Sequence, residues 1–158
     1  MANLKIGRIM LGMCQTNCYF VYKDGEDAQE ERSVLVFDPG DKGEYIYSRL
    51  KEKGFCPAAI LLTHGHFDHI WGVEELQKLS GAKLYAYEEE KDVCESASVN
   101  VSKGAGRPCT VKADVYLKDG EEVTIEGMTC RLIATPGHTK GSCCYYFEDN
   151  KILISGDT

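Results

Sequence analysis

The most informative part of this 158-residue chain is Thr63-His64-Gly65-His66-Phe67-Asp68-His69. It contains three of the four histidines and one aspartate. The apolar segment 58–62 before it has the length of a buried strand, and the spacing of apolar residues over 74–79 predicts an amphipathic helix after it. Sites in α/β sheets gather at the carboxyl ends of strands. Because each imidazole in an apolar core would need its own partner, so dense a cluster indicates a metal site.

The composition is that of one soluble globular domain spanning 1–158. Hydrophobic residues make up 43% and charged residues 27% of the chain. The formal net charge of −7 argues against nucleic acid as a partner, because no basic tract is present to neutralise phosphates. No run approaches the ~20 apolar residues of a membrane span, and 1–8 lacks the apolar part of a secretory signal. We therefore expect a cytoplasmic protein that binds neither membrane nor nucleic acid.

The eight cysteines are interpreted as reduced thiols. Without an export signal, small buried hydrophobic residues explain them better than disulfides do. Cys14 and Cys18 have a spacing found in some metal sites, but no second close pair follows at zinc-ribbon spacing. A separate thiolate metal site is therefore the less favoured interpretation.

Apolar patterns predict strands at the start, strands alternating with helices in the middle, and strands at the end. Strands are predicted at 4–13, 18–22, 33–37, 58–62, 83–86, 114–117, 123–125, 128–134, 142–147 and 152–154. Helices are predicted at 43–53, 74–79 and 87–94. The stretch 96–110 carries no pattern, and its two glycines and two cations over 103–108 predict a surface loop or, less favoured, an anion cradle.

The histidine cluster itself has two sets of donors. His64 and His66 are two residues apart, so in an extended loop they face the same side and can hold one ion. Asp68 and His69 come where the chain turns into the helix, so they face elsewhere. This division suits two neighbouring ions.

Two further candidate ligands follow other predicted strands. His138 follows the strand 128–134 in a Pro-Gly turn, where a ligand can be held rigidly. Asp157 has the same position after the strand 152–154. Separate strand ends therefore each deliver one candidate ligand.

Three motifs carry a resemblance to a known family. They are Thr63-His64-x-His66-x-Asp68-His69, Pro136-Gly137-His138-Thr139-x-Gly141-Ser142 and Ser155-Gly156-Asp157-Thr158, with Asp38-Pro39-Gly40 as a matching turn. Together they resemble the metallo-β-lactamase fold superfamily, and most closely its glyoxalase II-like (hydroxyacylglutathione hydrolase-like) members. The resemblance implies an α/β fold, a four-layer αββα sandwich with the metals at the edge of its two sheets. It also implies ligands: His64, His66 and His138 on a first metal, Asp68 and His69 on a second, and Asp157 bridging both.

The same resemblance implies a metal-dependent hydrolase of a small thioester, with a glutathione-linked substrate as the candidate. A metal-bound hydroxide would attack the carbonyl, because coordination lowers the pKa of water from ~15.7 toward ~7. Asp68 and His138 are the candidate catalytic residues, and zinc is the expected cofactor at one or two ions per chain, with iron or manganese as alternatives. Asp38 is expected to buttress the site, or simply to cap a turn. Cys18 and Ser142 are expected to be structural, because no histidine is left over as their base.

The chain departs from the family pattern at its end. The family's last histidine ligand follows the Gly-Asp-Thr motif, whereas this chain stops at Thr158 with all four histidines already assigned. We therefore expect a domain that is incomplete at its C-terminus and a second metal that binds weakly or not at all. We also expect a homodimer, because exposed apolar surface and open strand edges drive association.

Two other functions stay open. An iron-dependent persulfide dioxygenase shares the fold, and it would use His64, His138 and Asp157. A truncated form that has lost catalysis and self-associates is the second alternative. A β-lactamase is less favoured without an export signal, and RNA-processing relatives are disfavoured by the acidic charge and the absence of their extra domain.

Overall fold

The computed structural model describes residues 3–11, 14–24 and 32–156, which form two packed sheets with helices on the outer face of the first. The first sheet follows chain order: β1 (Leu4–Leu11), β2 (Thr16–Lys23), β3 (Arg32–Phe37), β4 (Phe55–Leu61), β5 (Lys83–Tyr87) and β6 (Val115–Leu117). β1, β2 and β3 pair antiparallel, and β3 to β6 pair parallel. Parallel neighbours need crossover connections, which explains the helices that follow β3, β4 and β5.

These helices are short and amphipathic. α1 (Gly43–Glu52) joins β3 to β4, while α2 (Phe67–Ile70) and α3 (Val73–Ser80) join β4 to β5. A 3-10 turn (Glu88–Glu90) and α4 (Lys91–Cys94) follow β5. The helical period puts the buried residues of α1 and α3 on one face, so both helices pack against the first sheet and against each other.

The second sheet is antiparallel with the strand order β10-β9-β8-β7. Its strands are β7 (Glu122–Ile125), β8 (Met128–Ala134), β9 (Cys143–Phe147) and β10 (Ile152–Ile154). In β8, buried and exposed residues alternate, so this strand packs one face on the first sheet and leaves the other outside.

Two apolar cores lie on the two faces of the first sheet, because successive strand residues point to opposite sides. Ile60 of β4 points into the core beneath the helices, whereas Ala59 and Leu61 point into the core between the sheets. In the core between the sheets, Phe37 meets Tyr145 and Phe147 edge-on, with ring centroids 5.4 and 6.1 Å apart.

The two sheets bring their loops together at one edge. β3 and β4 end in register, with Phe37 paired to Leu61, so both chains leave the sheet side by side. The second sheet reaches the same point, because the N–H of Cys143 donates to the carbonyl of Thr63 at 2.9 Å. The predicted loops after β4 and β8 therefore meet at the edge of the two sheets.

The predicted α/β fold with two sheets is confirmed. The described residues supply three of the four expected layers: helices, first sheet and second sheet. On the outer face of the second sheet, Arg131, Ile133 and Leu153 are exposed, and no helix of the described residues covers them. Within the same described ranges, no helix has the length and apolarity that crossing a bilayer requires.

Most predicted elements are confirmed, with small shifts at their ends. β2 begins at Thr16, two residues earlier than predicted, because its hairpin register pairs Thr16 with Leu11. The predicted strand 4–13 runs to Leu11, and residues 12 and 13 lie outside the described residues. The predicted helix over 87–94 is instead a 3-10 turn followed by one α-helical turn.

The stretch 96–110 contains neither strand nor α-helix, as predicted. Its cation Arg107 lies 4.7 Å from the ring centroid of Trp71, and its Nη1 is 2.8 Å from Oδ1 of Asp41. The indole N–H of Trp71 donates back to the carbonyl of Arg107. Because Arg107 is engaged within the protein, these contacts favour the surface-loop interpretation over an anion cradle.

Candidate metal centre

The centre begins with Asp38, at the end of β3. Its carboxylate accepts the N–H of Thr63 at 2.8 Å and the hydroxyl of Thr63 at 2.7 Å, so it ties the loop after β4 to the end of β3. Its Oδ2 also lies 3.1 Å from Nδ1 of His69. Asp38 has a φ of 53°, a left-handed conformation that Asp tolerates better than most residues do. The expectation that Asp38 buttresses the site agrees with these contacts.

A first group of donors consists of His64, His66 and His138, whose ligand nitrogens lie within 4.8 Å of one another. Nδ1 of His66 is 3.0 Å from Nε2 of His138, although the two residues are 72 positions apart. His64 is buried and His138 is exposed, so the group spans the boundary between core and solvent.

A second group consists of His64, Asp68 and His69, with ligand atoms again within 4.8 Å of one another. Oδ2 of Asp68 lies 3.5 Å from Nε2 of His69 and accepts the hydroxyl of Thr16 at 2.8 Å. The helix α2 starts at Phe67, and its first turn places Asp68 and His69 beside the loop that carries His64. His64 belongs to both groups of ligand atoms.

The donors suit a divalent metal ion. Imidazole nitrogens and carboxylate oxygens are the ligands of zinc and of non-haem iron. A tetrahedral ion with bonds of about 2.05 Å would bring its ligand atoms to about 3.4 Å from one another. Groups whose atoms already lie within 4.8 Å need only small side-chain adjustments to reach this spacing.

Most of the predicted ligands thus come together at one edge of the fold. They are His64, His66, Asp68, His69 and His138. Asp157 lies outside the described residues, so its predicted bridging position stays a prediction.

Cys18 and Ser142 are both buried. Cys18 is buried in the core beneath the helices, and burial, aided by the charge of Asp38, raises the pKa of its thiol well above the usual value. Ser142 is buried, and its hydroxyl is 2.8 Å from that of Thr139. Neither residue belongs to a donor group of the described chain. A neutral thiol is a poor nucleophile and a poor metal ligand, so the structural expectation for Cys18 agrees with its burial.

Glu90 is a residue of the site that sequence reasoning missed. Nothing in the run Glu88-Glu89-Glu90 distinguishes the third glutamate, but only this one is buried. Burial raises the pKa of its carboxyl, and the hydrogen bonds from Gly65 and Thr139 oppose that rise. No sequence pattern could have found it, because its partners are distant in the chain.

A cavity of about 560 Å³ opens beside the second group. Asp68 and His69 line it, together with the start of β2 and the residues Ser155 and Gly156 after β10. Its volume falls in the range of small-molecule sites. Thr16, Asn17 and Asp68 contribute polar groups to its lining.

Comparison with known sequences gives one family. Residues 11–158 match the metallo-beta-lactamase superfamily. A probable metallo-hydrolase of Bacillus subtilis (strain 168), YqgX, is 38% identical over 156 residues, which are 98% of this chain and 71% of that protein. A hydroxyacylglutathione hydrolase of Ectopseudomonas mendocina (strain ymp) is 32% identical over 127 residues, which are 80% of this chain and 42% of that protein. The chain thus spans less than half the length of this hydroxyacylglutathione hydrolase.

Solved structures share the fold. The B3 metallo-beta-lactamase BLEG-1 is 37% identical with a TM-score of 0.86, and the match covers 97% of this chain and 72% of that one. The di-zinc class B3 enzyme LRA-12, from an Alaskan soil metagenome, is 25% identical with a TM-score of 0.71, covering 93% and 55%. TTHA1623, solved in a di-iron-bound form, is 24% identical with a TM-score of 0.76, covering 96% and 71%. LRA-12 is thus described with two zinc ions and TTHA1623 with two iron ions.

Proposed function

Because the chain belongs to the metallo-beta-lactamase superfamily, we propose that it is a metal-dependent hydrolase that cleaves a small thioester. The observation that carries the proposal is the pair of donor groups that share His64 at the carboxyl end of β4. One group is formed by His64, His66 and His138, and the other by His64, Asp68 and His69. The chemistry that an ion supplies when bound there is Lewis acidity, which lowers the pKa of water to about 7 and polarises a carbonyl.

The protein's own residues orient these donors. Oδ2 of Asp38 lies 3.1 Å from Nδ1 of His69 and Oδ2 of Asp68 lies 3.5 Å from Nε2, so the imidazole is held between the two carboxylates with Nε2 toward the donor group. The hydroxyl of Thr16 holds one oxygen of Asp68, so this carboxylate has a fixed direction. Fixed donors lose little conformational entropy when they bind an ion or a polarised substrate.

The thioester is supported by two observations. Hydroxyacylglutathione hydrolases match about four-fifths of this chain at 32–34% identity. The cavity beside Asp68 and His69, about 560 Å³, offers room for the acyl end of such a substrate next to the donors. Zinc is our proposed ion, since a fold neighbour binds two zinc ions. The cytoplasmic location and the homodimer remain predictions.

The experiment is thioester hydrolysis by the purified chain after metal loading. S-Lactoylglutathione is the substrate, released thiol is followed with a chromogenic disulfide, and bound metal is counted by elemental analysis. We expect turnover that is lost with His66→Ala or His138→Ala and retained with Lys140→Ala, an exposed neighbour of His138. A metal-loaded chain that fails to cleave any of several acyl thioesters contradicts the thioester, and oxygen uptake with glutathione persulfide would point to the dioxygenase instead.

A β-lactam is the second candidate substrate, favoured by one observation. BLEG-1, a B3 metallo-beta-lactamase, is 37% identical over 97% of this chain. Both reactions add water to a carbonyl carbon and expel a heteroatom, so one donor arrangement serves either. A chromogenic cephalosporin assayed beside the thioester distinguishes them by the ratio of kcat/KM values. A ratio that favours the cephalosporin replaces our proposal.

A further inference from the structure

Glu90 is a buried carboxylate that belongs to neither donor group. It is 1% exposed, whereas Glu88 and Glu89 of the same 3-10 turn are exposed. A carboxylate is rarely buried unless hydrogen bonds compensate for its lost hydration. The hydrogen bonds of the Glu90 carboxylate therefore indicate which groups hold it in the interior.

Both donor loops bind the same oxygen of this carboxylate. Oε2 of Glu90 accepts the N–H of Gly65 at 2.7 Å and the hydroxyl of Thr139 at 2.8 Å. Gly65 stands between His64 and His66, and Thr139 follows His138. Oε2 of Glu90 thus connects the backbone between His64 and His66 to Thr139, the residue that follows His138.

The hydroxyl of Thr139 lies between Glu90 and Ser142. The N–H of Thr139 donates to Oγ of Ser142 at 2.9 Å, and the two hydroxyl oxygens are 2.8 Å apart. The single proton of the Thr139 hydroxyl goes to Glu90, so the Ser142 hydroxyl must donate to Thr139. In this arrangement Glu90 accepts from Thr139, and Ser142 in turn supports the Thr139 hydroxyl.

Close backbone contacts support the same connection. A Cβ on Gly65 would lie 2.7 Å from Sγ of Cys94, and a Cβ on Gly141 would lie 2.5 Å from the backbone nitrogen of Glu90. Glycine is needed at both positions because no side chain fits there. The segment 90–94 therefore packs directly against the backbone of both donor loops.

We propose that Glu90 is a positioning residue that holds the loop of His64 and His66 and the loop of His138 at the spacing needed to bind one metal ion. The inference rests on the proposed function, because it assumes that the first group binds a metal. Residues that fix the direction of metal ligands typically change metal affinity 10–100-fold when replaced. Glu90 acts on the ligands through Gly65 and Thr139 rather than by touching the ion.

The test compares four variants with the wild-type chain by Co²⁺ titration, recording the visible d–d spectrum and the thermal unfolding of the metal-free form. Glu90→Ala should weaken Co²⁺ binding by about tenfold or more and change the spectrum. Glu90→Gln should fall between Ala and wild type, because its amide oxygen still accepts from Gly65 and Thr139 but its charge is lost. Thr139→Val should weaken binding, and Thr139→Ser, which restores the hydroxyl, should recover it. Glu88→Gln, an exposed neighbour, is the matched control and should leave both readouts unchanged.

The outcomes separate the two proposals. A folded Glu90→Ala that binds Co²⁺ with wild-type affinity and spectrum overturns the role of Glu90 while leaving the metal site intact. A wild-type chain that binds no Co²⁺ or Zn²⁺ overturns the proposed function and this inference with it. If Glu90→Ala does not fold, the comparison of Thr139→Val with Thr139→Ser tests the proposal. Equal Co²⁺ binding by these two variants contradicts it.

Discussion

Oδ2 of Asp38 lies 3.1 Å from Nδ1 of His69, and both side chains are only 2% exposed. Asp38 follows β3 and His69 lies in α2, so this contact joins the end of one strand to the helix that follows the next. The same carboxylate holds both the N–H and the hydroxyl of Thr63. One buried aspartate therefore fixes the positions of the loop and the helix that carry most of the donors.

Replacing Asp38 should destabilise the fold. Asp38→Ala removes two hydrogen bonds to Thr63 and leaves both donors without that acceptor, so we expect the free energy of unfolding to fall by about 3 kcal/mol. Asp38→Asn should cost less, because an amide oxygen can still accept the N–H of Thr63. Urea denaturation of the metal-free chain measures both. Asp149→Asn, at an exposed site, is the control. Equal urea midpoints for Asp38→Ala and wild type would contradict the supporting role of Asp38.

Replacing Thr16 should affect the second donor group alone. Thr16→Val keeps the side-chain volume but removes the hydroxyl that donates to Asp68, so we expect about tenfold weaker binding of a second metal ion. Binding of the first ion should be unchanged, because Asp68 does not belong to the first group. A metal titration that resolves two binding steps measures the affinity for each ion. Thr129→Val, at an exposed strand position, controls for the substitution, and loss of the first step would contradict the assignment.

Tyr145, in β9 of the second sheet, holds the residue before the loop that carries His64. Its hydroxyl donates to the carbonyl of Leu62 at 2.8 Å, and its side chain is fully buried. Tyr145→Phe removes this donor and should lower the free energy of unfolding by about 1 kcal/mol, because the buried carbonyl of Leu62 loses its hydroxyl partner and keeps only the weak thiol donor of Cys143. Tyr146→Phe, on the next and less buried residue, should change it by a few tenths of a kcal/mol at most. Equal effects of the two variants in thermal unfolding would argue against this contact.

Thiol reactivity should follow burial. Burial, with the charges of Glu90 and Glu95 as smaller causes, raises the pKa of Cys94 to about 12, and burial alone raises that of Cys130 to about 12. Because only the thiolate reacts, roughly one thiol in 10⁴ at such sites is reactive at pH 8. Cys14 is exposed, so we expect native alkylation at pH 8 to label it first. Peptide mapping by mass spectrometry checks the order, and labelling of Cys94 before Cys14 in the folded chain would contradict it.

Much of the donor set was predictable from the sequence because its chemistry is local. His64, His66, Asp68 and His69 lie within six residues, and strand and helix patterns on either side fix where that stretch falls in an α/β fold. Short-range patterns also locate α1 and α3, whose apolar periods are clear. Element ends were less predictable, because β2 begins where its pairing with β1 places it.

The fold class, the kind of donor and the strand ends that deliver the donors could be predicted from residue type and spacing, which are properties of the chain. The packing of the fold was needed to establish that His64 lies within reach of both donor groups, that Asp38 faces His69, and that Glu90 is buried between two loops. The physical reason is sequence separation. Gly65 and Thr139 meet at one carboxylate only after two sheets pack face to face, and no pattern along the chain records which of three adjacent glutamates that packing will enclose.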